Sequence, residues 1–340
     1  MEKEKKRKNK KFGFFKFVFK SMFFLFLCFI IMFIVLLWSK MKTINYDFLD
    51  TAKLGINDNL LYELEENNLD SVSAKEIKDI KNILLVGNDA RENKKIGARA
   101  DTIMILSINP NKKSIKLISI PRDTYVNIKG RGMDKINHAY SYGREELLLN
   151  TINTNFNLNI TDYITINFRG LIELINDIGG VELNITEEER LYINERSHES
   201  YELTGNQRKE VQNSGIVVLD GEQILTHARN RTVGNDFIRQ ERQRKVVAET
   251  MQELKDLDLK GITSISKKCL SHVSTNINVL EYFKIIPSLV ANKNEYLSNI
   301  ISTQIPSLNY SSGKKINGVY YYVPDKEKSI SDFAEYIFNK

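Results

Sequence analysis

Cysteine is nearly absent from this chain of 340 residues, which holds two, alongside one Trp, four His and five Pro. Cys28 lies in a long apolar run near the N-terminus, and Cys269 lies far downstream. If the apolar run crosses a membrane, the two thiols have different surroundings and cannot pair within one chain. The sequence therefore excludes a disulfide framework and a metal site built from cysteines.

Charge is absent from Ser21 to Ser39, a stretch of 19 residues rich in Phe, Leu, Ile and Val. A helix of this length spans roughly 28 Å, close to the thickness of the apolar core of a bilayer. Trp38 occupies the position of an interfacial aromatic residue, and nine of the first 20 residues are Lys or Arg. The pattern predicts a basic cytoplasmic tail over residues 1–20, a transmembrane helix over residues 21–39 and an extracellular remainder.

A cleaved signal peptide is the alternative interpretation of this N-terminus. The apolar run is longer than a typical signal core, and no small-x-small cleavage site follows it. We therefore favour a single-pass protein of the cell membrane, with its N-terminus in the cytoplasm and the rest of the chain beyond residue 39 outside the cell.

The whole sequence has a net charge of +6, but the chain beyond the basic tail of residues 1–20 has no excess of positive charge. The tail contains nine of the 49 basic residues and two of the 43 acidic residues. The remainder therefore has 40 basic and 41 acidic side chains, a net charge of −1. A nucleic-acid binder carries its excess charge in the folded domain, so the composition disfavours a nucleic-acid partner and favours contact of the tail with anionic lipid.

Internal repeats and long low-complexity linkers are also missing. Residues 40–80 are polar with Leu at loose helical spacing, which predicts a partly helical extracellular stalk. Beyond it, the hydrophobic pattern predicts strands at residues 82–86, 102–108, 114–120 and 318–323. It predicts helices at residues 171–178, 222–228, 237–257, 280–291 and 329–338. Strands mixed with helices over residues 81–340 predict one α/β domain with a layered core.

Three short loops at the ends of predicted strands hold the residues best suited to chemistry. The loops comprise residues 87–91, 99–102 and 121–124. A turn signal at residues 109–113 predicts that the second and third strands form a hairpin with equal arms. If the first strand is also antiparallel to the second, Asp89, Asp101 and Arg122 meet at one edge of the sheet, where open α/β folds commonly bind ligands.

Each of these residues also has a plain structural interpretation when it is taken alone. Asp89 suits an Asx turn after Gly87, and Asp101 beside Arg99 suits a surface ion pair of little energetic weight. Arg122 suits the cap of a strand. These interpretations weaken together, because one predicted edge gathers all of the residues. Carboxylates suit a hard divalent cation such as Mg²⁺, and arginine binds phosphate with a planar fork of donors.

A second basic group lies between residues 229 and 245, where six basic side chains accompany two acidic ones. Arg239 and Arg242 are three positions apart and share one face of the predicted helix. A solvated basic face is the usual explanation of such a run. Five of the six are Arg in a chain rich in Lys, which favours a phosphate site because Arg is the better bidentate ligand. The six residues are Arg229, Arg231, Arg239, Arg242, Arg244 and Lys245.

Together these motifs resemble those of the LytR–CpsA–Psr family, membrane-anchored enzymes that attach anionic glycopolymers to peptidoglycan in gram-positive bacteria. The resemblance runs from about Asn82 to the C-terminus, and the order, the spacing and the N-terminal anchor agree with the family pattern. Besides the three loops, it rests on the segments at residues 135–140, 178–181, 219–223, 228–231 and 236–243.

The resemblance implies a three-layer α/β/α domain with a central mixed β-sheet, preceded by one N-terminal transmembrane helix. It implies that Asp89 and Asp101 hold a Mg²⁺ (or Mn²⁺) cofactor. It also implies a binding site for the polyprenyl pyrophosphate head group, formed by Arg99, Arg122, Arg229, Arg231, Arg239 and Gln243. The catalytic residues are then expected to be Arg122, Arg229, Arg231, Arg239 and Asp123.

The implied activity is a phosphotransferase reaction. An anionic glycopolymer, such as teichoic acid or capsule, passes from a polyprenyl-pyrophosphate carrier to peptidoglycan. Three alternatives remain open: hydrolysis of the same pyrophosphate, a non-catalytic membrane-tethered module that binds lipid-linked precursors, and a regulatory role. The regulatory role is the weakest, because a cytoplasmic part of about 20 residues leaves no room for a DNA-reading fold.

The general base and the sugar specificity are less clear from the sequence. Asp123 is the nearest spare carboxylate to Arg122. His138 is a second candidate because histidine commonly serves as a general base, although packing within its own segment is the simpler explanation of this residue. Sugar specificity is expected in loops such as residues 192–214, which contain no readable code.

Overall fold

The computed structural model describes residues 45–60, 74–89, 98–254, 269–278 and 286–339. The predicted cytoplasmic tail and transmembrane helix lie outside these ranges, as do Ala90 and Arg91 of the first loop. No helix within the described ranges has both the length and the apolar character needed to span a bilayer. Asn45–Lys340 forms one compact unit.

The described strands are β1 (Asn45–Tyr46), β2 (Lys81–Asn88), β3 (Ala100–Asn109), β4 (Ser114–Ser119), β5 (Tyr125–Ile128), β6 (Gly132–Lys135), β7 (Asp162–Asn167), β8 (Val181–Ile185), β9 (Gly215–Leu219), β10 (Val273–Thr275), β11 (Ile300–Gln304), β12 (Ser312–Ile316) and β13 (Val319–Val323). The described α-helices are α1 (Ala74–Asp79), α2 (Ile136–Phe156), α3 (Phe168–Asp177), α4 (Glu187–Arg196), α5 (His198–Thr204), α6 (Gly221–Arg229), α7 (Asp236–Leu254), α8 (Ile286–Ala291), α9 (Lys293–Ser298) and α10 (Lys326–Ala334).

A seven-stranded mixed sheet lies at the centre, with the strand order β1-β10-β7-β2-β3-β4-β11. Strand β3 runs antiparallel to both β2 and β4, whereas β2 pairs in parallel with β7, and β4 with β11. The register places Leu85 opposite Met104 and Ile105 opposite Ile118. The structure therefore confirms a mixed α/β fold with a central mixed sheet and the predicted hairpin of β3 and β4. It also meets the condition set for the first strand, since β2 is antiparallel to β3.

Helices cover both faces of this sheet. Leu84 and alternate residues of its neighbours pack with Leu148 of α2 and Phe333 of α10 on one face. Ile83 packs with Val247 of α7 and Tyr296 of α9 on the other face. Successive strand residues point to opposite faces, so the continuous apolar runs of β2 and β3 are explained by burial on both sides. A third apolar cluster joins α3, α4 and α6 to the β8–β9 ribbon.

Most of the predicted elements are present with shifted bounds. The helix predicted at residues 237–257 is α7, described as far as Leu254, and the helix predicted at residues 280–291 is described only for α8. The helix predicted at residues 329–338 begins earlier, as α10, and continues as a π-helical turn over Glu335–Asn339.

Part of the segment predicted as a stalk belongs to the folded unit. Strand β1 pairs with β10, and Leu54 is fully buried in the core together with Ile77 and Ile80. Asn57 donates a hydrogen bond to Asn157 across 2.8 Å. The loosely spaced apolar residues of this segment therefore serve as core contacts in its described portions, and the compact unit begins before residue 80.

Candidate active site

A β-bulge sets the positions of the two predicted metal-binding carboxylates. Gly87 pairs with Thr102 and Asn88 pairs with Ala100, so Asp101 is the extra residue on β3. Bulges of this kind re-aim a side chain at the edge of a sheet. Asp89 follows β2 directly, and its Oδ1 accepts a hydrogen bond of 3.0 Å from the backbone N–H of Arg99. The first two predicted loops therefore meet at one edge of the sheet.

The third loop reaches the same edge through Arg122. Its Nη1 donates a 2.7 Å hydrogen bond to Oδ1 of Asp101. The loop is held by its backbone, because Thr124 N–H and Oγ1–H both donate to the carbonyl of Pro121 and Asn137 N–H donates to the carbonyl of Arg122. The meeting of Asp89, Asp101 and Arg122 thus follows from strand order and turn geometry, as the sequence predicted.

The start of α7 adds a buried arginine to this cluster. Arg239 is only 2% exposed, and its Nη2 lies 2.8 Å from Oδ1 of Asp236. The same Asp236 oxygen lies 4.0 Å from Nε of Arg122. Burial lowers the pKa of Arg239; Asp236 opposes this shift, while the charges of Arg122 and Arg231 add to it. The guanidinium groups of these three arginines are therefore close enough to repel one another.

Several donors of this cluster lack hydrogen bonds. Nε of Arg122 and both Nε and Nη2 of Arg239 are buried, and none of them has an aligned acceptor among the residues that the structure describes. The close contact of Arg239 with Asp236 is an ion pair without hydrogen-bond alignment. Buried donors without acceptors are costly and rare in folded proteins. The cluster is therefore suited to a ligand that brings several oxygen acceptors.

Arg231 completes the cluster from a loop. Its Nη2 lies 3.8 Å from Oδ1 of Asp101, and its side chain is 56% exposed. Arg242 lies behind this loop, donating from Nη1 to the carbonyl of Asn230 at 3.3 Å and from Nη2 to the carbonyl of Val233 at 2.5 Å. Nε of Arg242 donates to Glu189 of α4 at 2.5 Å. Arg242 thus fixes the backbone that carries Arg231.

Two predicted site residues have other contacts. The guanidinium of Arg229 lies over the ring of Phe168, 4.8 Å from its centroid, and 4.0 Å from Glu199. Nε2 of Gln243 donates to the carbonyl of Ala228 at 3.3 Å. The structure thus brings Arg122, Arg231 and Arg239 to Asp101, and places Arg229 and Gln243 at the C-terminal end of α6. Arg99 is exposed and contributes its backbone N–H to Asp89.

The two candidates for the general base occupy different surroundings. Asp123 pairs with Nζ of Lys135 at 2.8 Å and lies 3.7 Å from Nε of Arg122. His138 contacts Oδ2 of Asp134 through Nδ1 at 2.8 Å and packs edge-on against Tyr142. Burial raises the pKa of Asp134, but hydrogen bonds from His138, Lys135 and Tyr142 outweigh it and lower the pKa. Asp123 therefore lies at the arginine cluster, whereas His138 belongs to a local network.

The structure places three further residues at the site that were not predicted as site residues from the sequence. Asp236 contacts both Arg122 and Arg239, Lys135 pairs with Asp123, and Tyr320 lies near enough for Asp123 and Asp236 to raise its pKa further after burial has done so. The spacing Asp236-x-x-Arg239 was an available signal, because residues three apart on a helix are neighbours. Lys135 and Tyr320 offered no comparable signal.

A buried polar network supports the end of β2. Asn88 donates to the hydroxyl of Tyr140 at 2.7 Å, and this hydroxyl donates to Glu145 at 3.0 Å. Thr165 donates to the same carboxylate oxygen at 2.9 Å. The network ties β2, α2 and β7 together immediately next to Asp89. It therefore restrains the backbone from which Asp89 extends.

The two carboxylates fit Mg²⁺ in one of its usual modes. Within the described ranges, no three His, Cys, Asp or Glu side chains converge as a ready-made metal centre. Mg²⁺ is commonly bound by one or two carboxylates, with water and substrate phosphates supplying the remaining ligands. The ion pairs of Asp101 with Arg122 and Arg231 both use Oδ1, and Asp89 lies at the end of the adjacent strand. The donor set is therefore compatible with a cation that also contacts a phosphate ligand.

Comparison with protein families decides the relationship suggested by these motifs. The LytR_cpsA_psr family model matches residues 55–335. The chain belongs to this family. A relative from Oceanobacillus iheyensis, named polyisoprenyl-teichoic acid–peptidoglycan teichoic acid transferase TagU, is 34% identical over 261 residues, which cover 74% of this chain and 73% of the relative.

Solved structures share the fold of this LytR_cpsA_psr member. A protein of Streptococcus agalactiae is 26% identical, with a TM-score of 0.61, and the match covers 78% of this chain and 88% of the other. The family protein TagT, solved with bound octaprenyl pyrophosphate lipid, is 23% identical with a TM-score of 0.56, over 77% of this chain and 92% of TagT. At this identity the likeness to TagT shows the fold alone.

Proposed function

We propose that this protein transfers an anionic glycopolymer of the teichoic-acid class from a polyprenyl-pyrophosphate carrier to peptidoglycan. The relative TagU is named for this reaction. The observation that carries the proposal is the arginine cluster, in which Arg239 is buried with unused donors beside Arg122 and Arg231. A pyrophosphate would supply the oxygen acceptors and the negative charge that this cluster lacks.

The reaction is a displacement at phosphorus. A peptidoglycan hydroxyl oxygen bonds to the phosphorus that bears the glycan, the bond from that phosphorus to the bridging oxygen breaks, and polyprenyl phosphate leaves with the electron pair. Arg122, Arg231 and Arg239 offset the charge that develops on the phosphate oxygens. Positioning and charge neutralisation carry most of the catalysis in such reactions. Asp123, at the cluster, is the candidate that takes the hydroxyl proton.

A divalent cation belongs to the proposal as well. Asp89 and Asp101 are the residues that would hold Mg²⁺ or Mn²⁺, and the cation would neutralise charge on the phosphate oxygens when bound. Replacing either aspartate with asparagine should raise the Mg²⁺ concentration required for half-maximal transfer. The measurement is the transfer rate across a Mg²⁺ titration after chelation, and an unchanged Mg²⁺ requirement in both variants would remove these residues from the metal site.

The location of the reaction is part of the same proposal. Peptidoglycan lies outside the cell membrane, and the uncharged stretch Ser21 to Ser39 preceded by nine basic residues supports an anchor with the folded domain outside. A membrane-bound enzyme and a lipid-linked donor share one surface, which favours their encounter.

The decisive test is Arg122→Ala in the full-length protein. The labelled lipid-linked donor, Mg²⁺ and peptidoglycan are incubated with the enzyme, and label on the wall polymer is measured. Losing one such donor typically costs about 2.7–4 kcal/mol, so transfer should fall roughly 10²–10³-fold while the circular dichroism spectrum is retained.

Arg196→Ala is the control for this test, because Arg196 is exposed on α4 and forms an ion pair with the adjacent exposed Glu195. Retention of most activity by Arg122→Ala would reject the assignment. Release of free polymer without wall-linked product would show hydrolysis instead of transfer, and donor binding without any product would show a binding module.

A further inference from the structure

A second cleft lies apart from the arginine cluster, at the opposite end of α6. Its volume is about 720 Å³, and the loop over residues 205–214 forms one wall. The start of α6 and the end of α3 form the other wall. This loop falls within residues 192–214, the stretch in which sugar specificity was expected.

One wall of the cleft is held rigidly by a buried carboxylate. Glu222 is 1% exposed and accepts hydrogen bonds from Thr204 at 2.6 Å, Asn206 at 2.7 Å and Asn176 at 3.0 Å. Burial raises the pKa of Glu222, but these hydrogen bonds outweigh it and lower the pKa. Asp220 accepts from the hydroxyl of Tyr201 at 2.6 Å. Residues from α3, α5 and α6 are thus locked together around the cleft.

The lining of the cleft is polar and carries an excess of negative charge. The lining includes three carboxylates, those of Glu210, Asp220 and the buried Glu222, and one ammonium group, that of Lys209, which leaves an excess of two negative charges. Side-chain amides, each with donors and an acceptor, provide much of the remaining polar surface. The amides of Gln207, Gln212 and Asn213 are exposed, whereas those of Asn176, Asn206 and Gln223 also hydrogen-bond within the wall of the cleft. An anionic polymer is disfavoured here because like charges repel.

The cleft and the arginine cluster are connected by one helix. Helix α6 has nine residues and begins after Asp220 at the cleft, so it is about 14 Å long. It ends at Arg229, immediately before the loop that carries Arg231. A ligand bound in the cleft is therefore separated from the proposed reaction centre by roughly the length of α6. An extended polymer can occupy both places, whereas a single small molecule cannot.

We infer that this cleft binds the acceptor strand, as a length of peptidoglycan with its N-acetylated sugars and an amine-bearing stem peptide. Sugar hydroxyls and amides match the side-chain amides of the lining, and the peptide amine matches its excess of carboxylates. The donor glycopolymer, which is anionic, is excluded from the cleft by the same charges. The inference rests on the proposed function for the identity of the acceptor.

The binding test uses the full-length protein in detergent and three probes. The probes are a disaccharide with an amine-bearing stem peptide, the same disaccharide without the peptide, and poly(glycerol phosphate). Glu210→Lys reverses a charge on the cleft, and Asn213→Trp fills space in it; both residues are exposed on the loop. Glu188→Lys makes the same charge change on exposed α4, outside the cleft.

Both cleft variants should weaken binding of the disaccharide-peptide about tenfold or more, measured by calorimetry, while Glu188→Lys leaves it unchanged. The disaccharide without the peptide should be weakened by Asn213→Trp more than by Glu210→Lys, because only the peptide carries the amine. Equal binding of the disaccharide-peptide by wild type and both variants would overturn the inference. So would a cleft that prefers poly(glycerol phosphate).

A kinetic measurement separates this inference from the proposed function. In the transfer assay, the cleft variants should raise the KM for the acceptor about tenfold and leave kcat and the KM for the lipid donor unchanged. Wild-type transfer with an unaltered acceptor KM in the variants would overturn the cleft and leave the function standing. Acceptor binding that depends on the cleft, without transfer by the wild type, would overturn the function and leave the cleft standing.

Discussion

Arg239 is the residue that most distinguishes this site from a solvated basic face. It is buried and has donor groups without acceptors, which is unusual for an arginine. Its burial next to Arg122 and Arg231 is unfavourable for the free protein, because both desolvation and like-charge repulsion lower its pKa. Such an arrangement is retained where a ligand of opposite charge completes it. Arg239 therefore lowers the stability of the free protein and strengthens the binding of an anionic ligand.

Arg239→Met tests both effects, since methionine keeps much of the side-chain volume and removes the charge. Transfer should fall roughly 10²–10³-fold, because a donor to the developing phosphate charge is lost. The melting temperature should be unchanged or higher, because the lowered pKa of Arg239 indicates that desolvation and repulsion by Arg122 and Arg231 outweigh its attraction to Asp236, which is partly exposed and stays solvated without its partner. Activity is measured with the labelled donor, and stability by thermal unfolding.

Arg196→Met is the matched control for Arg239→Met, as it makes the same replacement on an exposed stretch of α4. It should alter neither quantity. A variant at Arg239 that loses stability as well as activity would assign this arginine to the folded core rather than to the phosphate site.

The buried side chain of His227 should make the free energy of unfolding depend on pH. It is buried on α6, and burial lowers its pKa to about 4, with Glu189 opposing the shift and Arg242 and Lys245 adding to it. The unfolded chain protonates this histidine near pH 6.5, so the unfolded state binds more protons between pH 6.5 and about pH 4. The free energy of unfolding therefore decreases as the pH falls through this window.

Between pH 7 and pH 5 this histidine should account for a loss of about 2 kcal/mol in the free energy of unfolding. His227→Gln should remove most of that loss, and urea unfolding at the two pH values measures it. His198→Gln, at an exposed histidine, should leave the loss in place. An equal loss in wild type and His227→Gln would show that other groups, such as Glu189, cause the acid sensitivity.

At the scale of elements, the loop between α6 and α7 depends on Arg242. The planar fork of this side chain reaches two backbone carbonyls and one carboxylate, which a lysine cannot do at once. Arg242→Lys should therefore loosen the loop and lower transfer about tenfold or more, since misplacement of a positioning loop by 1 Å can cost about 10²-fold. Hydrogen exchange of the amides at residues 231–235 should become faster in the variant.

Arg169→Lys provides the comparison, because Arg169 forms an ion pair with Glu173 at 3.1 Å on the surface of α3. It should change neither the transfer rate nor the exchange at residues 231–235. Slower transfer in Arg242→Lys with unchanged exchange would indicate direct contact of Arg242 with substrate instead of a positioning role.

The β3–β4 hairpin was predictable from the sequence, whereas helix α2, whose buried face is polar, was not. The hairpin of β3 and β4 followed from two apolar runs and a turn. Helix α2 was missed because its buried face carries Asn150, Asn153 and Asn155, which hydrogen-bond to backbone carbonyls of other segments. An interruption at Gly143 and Arg144 further obscures its period, since Arg144 has φ of +54°.

The segment at residues 219–223 was recognised as a family motif, but the sequence did not show why it contains Gly221. At Gly221, an added Cβ would lie 2.3 Å from the carbonyl oxygen of Ile172 and 2.7 Å from its Cα. The backbones of α3 and α6 therefore approach too closely for any side chain. Asp220 caps α6 by accepting a hydrogen bond from the N–H of Gln223 at its Oδ1, and Oε1 of Gln223 accepts one from the N–H of Asp220. The motif of residues 219–223 thus joins two helices.

At the scale of the whole molecule, the cluster of site residues at the edge of the sheet was predictable from the sequence. The positions of Arg229 and Gln243 were not. The meeting of Asp89, Asp101 and Arg122 depends on strands adjacent in sequence, so register decides it. Arg229 and Gln243 lie on helices whose rotation and packing are set by contacts distant in sequence. No local pattern specifies that Arg229 stacks on Phe168, or that Arg239 and Arg242 are both buried.

The membrane topology of the whole chain has its own test. The native Cys28 and Cys269 are replaced with serine, and single cysteines are introduced as Lys8→Cys in the tail or Glu327→Cys at the exposed start of α10. A membrane-impermeant maleimide should label Glu327→Cys in intact cells and Lys8→Cys only after permeabilisation, because basic flanks stay in the cytoplasm. Labelling of both cysteines only after permeabilisation would place the arginine cluster in the cytoplasm, away from peptidoglycan, and the proposed transfer could not occur there.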